Sequence, residues 1–143
     1  MDQTIYFYAE DIEFSLQDEN QYRNWITSIL ALENKKAGDL SYIFCSDEYL
    51  LNINNTYLNH NYLTDIITFP YNSGDTISAD IFISIDRVKE NGAEYNVTFE
   101  SELLRVMAHG LLHLMGYGDK SADQKSIMRE KEENAMALFE KLT

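Results

Sequence analysis

Residues 101–119 read SELLRVMAHGLLHLMGYGD, and the folding of this stretch decides how the rest of the chain is arranged. From 101 to 115 there is no Pro and a single Gly, and the apolar residues recur at helical spacing, so a helix is expected. His109 and His113 are four residues apart. On a helix that separates them by about 40° in azimuth and about 6 Å in height, so both imidazoles leave one face. This is how a helix offers two nitrogens to one metal ion. Gly116 then supplies a C-terminal glycine stop. Asp119 follows six residues after His113 and can fold back over the open side of the pair.

A histidine pair at this spacing is, by itself, equally compatible with two rings packed on a core. Three features point to a metal. The chain has 3 histidines and spends two of them here, a glycine turn lets the chain return, and an oxygen ligand follows that turn. A catalytic Zn²⁺ typically takes three protein ligands and leaves one position for water. His109, His113 and Asp119 are therefore the expected ligands, with His109 and His113 carrying catalysis. Spacing alone also allows Asp119 to be a solvated turn residue. The HGLLH run invites comparison with HExxH, in which Glu is the general base of zinc peptidases. Here that position is Gly110, which argues against peptidase chemistry. Elsewhere, His60 reads as a surface histidine in a polar loop, Cys45 as core, Asp65 and Asp80 as solvated sheet-edge residues, and Tyr117 as turn packing.

Working outward, residues 4–9 (TIYFYA) and 40–45 (LSYIFC) read as strands, with a helix over 22–32 between them that Lys35, Lys36 and Gly38 close. Ser46 caps a second helix running to about Tyr57. Residues 65–71 and 77–85 form a hairpin across the Asn72–Asp75 turn signal. A short helix over 86–96, capped by Asp86, precedes the central helix, and a final amphipathic helix covers 121–142. The expected class is α+β: a mixed four-stranded sheet packed with about five helices, with the metal site on a central helix and the turn after it.

The 143 residues are expected to form one domain, 1–143, and 45% hydrophobic content excludes disorder. The net charge of −13 argues against a nonspecific nucleic-acid binder. The acid is uneven: residues 1–50 carry 3 basic and 10 acidic side chains, 51–100 carry 2 and 7, and 101–143 carry 6 and 7, so a phosphate-bearing substrate is compatible with the histidine end. One cysteine cannot form an internal disulfide and suits a reducing compartment. The N-terminus lacks the basic and apolar regions of a signal peptide, and no apolar run approaches a membrane span. A cytoplasmic location with no membrane partner is expected.

HGLLHLMGYGD resembles the HGxLHLxGYDH signature of the YbeY family of bacterial endoribonucleases, also called rRNA maturation factors. Residues 64–70 (TDIITFP) are similar to the family's PTDVLSFP stretch, residues 79–84 (ADIFIS) to its GDIVIS strand, and Met128 sits where the family has Met. The resemblance covers roughly residues 50–130. It departs at Asp119, where the family has its third histidine, at Gly118, where it has Asp, and at Gln124, where it often has Glu. Leu58 falls where the family carries an arginine thought to help RNA cleavage; that role is lost or moved, with His60 and Lys120 as nearby substitutes.

The resemblance implies a Zn²⁺- or other divalent-metal-dependent hydrolase. It would be a single-strand-specific endoribonuclease trimming the 3′ end of small-subunit rRNA and acting in ribosome quality control. The implied partners are rRNA, the small ribosomal subunit and ribosome-assembly proteins, with no DNA. The rival expectation is a ribosome-assembly binding factor with a structural metal and little or no catalysis, and behind it a zinc peptidase-like hydrolase.

Overall fold

The computed structural model describes residues 4–142; Met1–Gln3 and Thr143, the ends of the expected 1–143 domain, lie outside the described residues. The elements run β1 (Ile5–Ala9), α1 (Glu19–Leu32), β2 (Lys36–Cys45), α2 (Asp47–Leu58), β3 (Ile66–Pro70), β4 (Thr76–Ser84), α3 (Ile85–Glu94), α4 (Phe99–Leu114) and α5 (Ala122–Lys141). The strands form one mixed sheet in the order β1-β2-β4-β3. β2 pairs in parallel with both β1 and β4, and β3 closes the hairpin by running antiparallel to β4. The expected class and element order therefore match the structure. Pro70, which has no N–H to donate, ends an edge strand, where that loss is tolerated.

Boundaries differ from expectation at α1, β2 and α3, and α1 begins at Glu19, ahead of the expected 22–32 span. β2 begins at Lys36, so Lys36 and Gly38 belong to the strand; α1 stops at Leu32 and Asn34 turns the chain with φ 59°. Gly38 sits at an irregularity in the β2–β4 register, where a Cβ would lie 2.1 Å from Ser78 Oγ. That side-chain-free bulge masks the strand signal. The cap of α3 is Ser84, whose Oγ accepts the Arg87 N–H, and Asp86 is the second residue of the helix, within its first turn.

The alternation of β4 places Ile77, Ala79, Ile81 and Ile83 on one buried face, with Leu40, Tyr42 and Phe44 of β2 beside them. The helices α1 and α4 pack over that face and α5 packs on them, and the buried Trp25 ties α1 to α5 by donating its Nε1–H to the Ala135 carbonyl at 2.7 Å. α2 covers part of the opposite face through Leu50, against Cys45 and Ile67. α4 is thus enclosed by the sheet, α3 and α5, and its residues are buried on almost every side. From Ser101 to Leu114 the exception is one row at i, i+4 spacing: Ser101, Arg105, His109 and His113 are half-buried. Among the described residues no helix is long and apolar enough to cross a membrane.

Candidate metal centre

The histidine row is held at both ends by its own helix. Thr98 caps α4 by accepting the Ser101 N–H at 3.1 Å. At the other end Gly116 takes φ 103°, its N–H donates to the His113 carbonyl at 3.0 Å, and the Tyr117 N–H donates to the Leu112 carbonyl at 3.1 Å. These two bonds form a Schellman stop, which needs the left-handed region that glycine enters without strain. The turn it launches is pinned by the Tyr117 hydroxyl, which donates to Glu33 at 2.5 Å, with Lys131 of α5 over the Tyr117 ring. Tyr117 is therefore a turn anchor.

The turn returns Asp119 to the histidines. Its Oδ2 lies 3.2 Å from His113 Nε2 and 3.4 Å from His109 Nε2. The two rings stand nearly perpendicular, with centroids 4.5 Å apart. One ligand atom from each of His109, His113 and Asp119 falls within 4.8 Å of the others, so this group could hold a metal ion. The donor set fits one: a tetrahedral Zn²⁺ with bonds of roughly 2.0–2.2 Å separates its ligand atoms by about 3.3–3.6 Å. The three side chains stay 21, 34 and 40% exposed (His109, His113, Asp119), leaving one side open to solvent as a catalytic site requires.

Behind the histidines lies a buried charge network that the sequence reading did not include. Glu132 of α5 sits 2.6 Å from His109 Nδ1 through one carboxylate oxygen, and its other oxygen accepts from Arg105 at 3.5 Å. Arg105 in turn forks onto buried Glu102. With Nδ1 committed to Glu132, Nε2 of His109 faces Asp119, and a carboxylate behind a ligating imidazole fixes its tautomer and orientation. Burial alone lowers the His109 pKa, but the hydrogen bond and charge of Glu132, with the charges of Asp119 and Asp65, outweigh it and hold the imidazole above its ordinary value. The available signal was an acid on the apolar stripe of α5: Met128, Glu132, Ala135 and Phe139 share the buried face.

Gly110 lets β3 approach α4 closely: a Cβ there would lie 2.5 Å from Ile66 Cδ1, a side-chain end that would have to shift for a larger residue. The same close approach brings Asp65, one residue before β3, to where its charge and that of His109 act on each other. Burial raises the Asp65 pKa, partly offset by His109 and Arg105. Asp65 is thus part of this corner, whereas Asp80 accepts the Tyr71 hydroxyl on the sheet at 3.0 Å. Cys45 is buried, and burial together with the charges of Asp11, Asp86, Glu10 and Asp47 pushes its thiol up to about 12. Gln124 caps α5 reciprocally with Ser121 and accepts the Lys120 N–H at 3.0 Å, so it serves the turn. Leu58 ends α2, 41% exposed, and His60 is exposed in the following loop.

Comparison with known proteins agrees with this architecture. A family model described as "Endoribonuclease YbeY" matches residues 5–140. A relative of that name from Flavobacterium psychrophilum is 51% identical over 129 residues, 90% of this chain and 92% of its own. Another, from Cytophaga hutchinsonii, is 47% identical over 138 residues and 96% of each chain. A solution structure of a Thermotoga maritima protein superposes with a TM-score of 0.66 at 27% identity, covering 94% of this chain and 88% of that one.

Proposed function

The chain belongs to the YbeY endoribonuclease family, and from that premise we propose that it is a metal-dependent, single-strand-specific endoribonuclease. It acts in the cytoplasm on the 3′ end of small-subunit rRNA and in ribosome quality control, as one hydrolase domain over 1–143. Its partners are the small ribosomal subunit and assembly proteins. The observation that carries the reading is the His109–His113–Asp119 group, spaced for one ion and open on one side.

A Zn²⁺ or similar divalent ion held by His109, His113 and Asp119 would supply charge to polarise a phosphoryl oxygen or to bring bound water towards a pKa of about 7. The protein does the positioning. α4 sets the two imidazoles at one height interval, the Schellman turn returns Asp119, and Glu132 keeps the His109 Nδ1 side occupied so that Nε2 faces the substrate side. Peptide hydrolysis of the HExxH type lacks its base, because residue 110 is Gly.

Leu58 favours a second reading, a ribosome-assembly factor with a structural metal, since no guanidinium stands where relatives of this family carry one. One preparation separates the two: purified protein is assayed for rRNA cleavage and metal content beside His113→Ala. Loss of both metal and cleavage in the variant is expected. A metal-free His113→Ala that cleaves at the parent rate defeats the catalytic reading, and a metal-loaded parent that binds ribosomal subunits without cleaving supports the assembly factor.

A further inference from the structure

The connection between α2 and β3 exposes aromatic surface that the metal centre does not use. Asn59 enters the left-handed region (φ 55°) and reverses the chain after α2. The loop is then tied down from inside. Buried Asn54 donates its Nδ2–H to the Tyr62 carbonyl at 3.0 Å, and its own carbonyl accepts the His60 N–H at 3.1 Å. With the backbone drawn inward, the His60 and Tyr62 side chains project outward and stack on each other, centroids 5.2 Å apart and planes 22° from parallel. The Tyr62 hydroxyl meets His60 Nδ1 at 3.1 Å, which braces the pair, and Tyr62 is 56% exposed. Beside them Tyr57 is 71% exposed, with its edge on Phe69.

This ring pair is joined to the metal centre by a short length of chain. Three residues carry the chain from Tyr62 to Asp65, a reach of at most about 11 Å, and the next residue, Ile66, packs against Gly110, the neighbour of His109 on α4. From Tyr57 to Asp65 there is no Lys or Arg, in a chain of net charge −13. A strand held by this segment is therefore not held through Lys or Arg of the segment on its phosphates. Stacking needs no positive surface, because every base has a π face, and it selects bases that are not already paired.

We propose that the stacked His60–Tyr62 pair is a platform for one unpaired base of the RNA strand cleaved at the metal centre. This rests on the endoribonuclease reading and explains how an acidic protein without the arginine at Leu58 grips single-stranded RNA. The test is steady-state cleavage of a single-stranded oligoribonucleotide by the metal-loaded full chain, comparing the parent with Tyr62→Ala, Tyr62→Phe and His60→Ala. The substrate is also made with one abasic nucleotide walked along it.

Tyr62→Ala is expected to raise KM about 5- to 150-fold, the loss of one stacked base, with kcat little changed, while Tyr62→Phe keeps the parent KM. One abasic position is expected to weaken the parent and to weaken Tyr62→Ala no further. An unchanged KM in Tyr62→Ala and His60→Ala, or abasic effects equal in parent and variant at every position, overturns the platform alone. A parent that cleaves no RNA overturns the endoribonuclease reading and the platform with it. If Tyr62→Ala shifts the circular dichroism spectrum, His60→Ala and the abasic walk on the parent decide.

Discussion

Two clusters of carboxylates in this molecule differ more in their partners than in their charges. At the C-terminal ends of the parallel strands, Asp11 accepts from the Ser46 N–H at 2.9 Å and from the Ser46 hydroxyl. Asp47 accepts from Ser84 Oγ at 2.8 Å and from Arg87 at 3.0 and 3.1 Å, and Asp86 accepts the Asp47 N–H at 2.9 Å. These acids lie against the N-termini of α2 and α3, where negative charge is favoured and orphan N–H groups need acceptors. The protein supplies all the donors named. In the other cluster Asp119 faces two imidazole nitrogens, each able to act as an acceptor, and stays 40% exposed. A carboxylate satisfied by N–H and O–H donors is structural. One gathered with two ring nitrogens around a shared point is a group that could hold a metal ion.

The contrast can be broken most easily at Asp119. Asp119→Ala is expected to weaken Zn²⁺ binding by more than the roughly 100-fold typical of losing a partner one step removed from the ion, read by competition with a chromogenic chelator. Asp119→His keeps the metal, because an imidazole serves at about the same bond length. Parent-like affinity in the alanine variant would move Asp119 into the class of Asp11.

Glu132 tests whether the buried network belongs to the metal corner or only to the core. Glu132→Gln is expected to lower metal affinity by about 10- to 100-fold. It also removes the main group holding the His109 pKa above its ordinary 6.5. In the metal-free parent that raised pKa contributes stability that is full below pH 6.5 and fades as pH climbs through the folded value. The variant's stability is expected to lose this dependence, as urea melts at several pH values can show. A Gln variant with unchanged affinity and an unchanged pH profile makes Glu132 a packing residue.

The smallest effect is expected in the strand-end cluster. Asp47→Asn leaves Ser84 and Arg87 without their shared carboxylate and costs about 1–3 kcal/mol of stability, with metal affinity and RNA cleavage at parent levels. A loss of cleavage at unchanged stability would show that the strand-end acids share the reaction and that the two clusters are not separate in function.

Much of this was legible along the chain for a local reason. His109, His113 and Gly116 lie on and just past one helix, and helix geometry relates them with no help from the rest of the fold. The alternation in β4 and the turn signal between β3 and β4 are equally local. Glu132 lies 23 residues beyond His109 and was not singled out, although an acid on the apolar stripe of α5 was its signal. His60 reads as one more polar loop residue until its ring is seen stacked on Tyr62.

The sequence by itself determined the helix, the spacing of its two imidazoles, the glycine stop, the order of elements and the family resemblance, because each is written in residues a few positions apart. Only the tertiary structure decided that Asp119 closes on both histidines, that Glu132 stands behind one of them, and that Ile66 occupies the space beside Gly110. Those contacts depend on how the turn is pinned to Glu33 and how α5 and β3 pack against α4. Such packing is set by summed burial and shape over the whole core and by no single stretch of the chain.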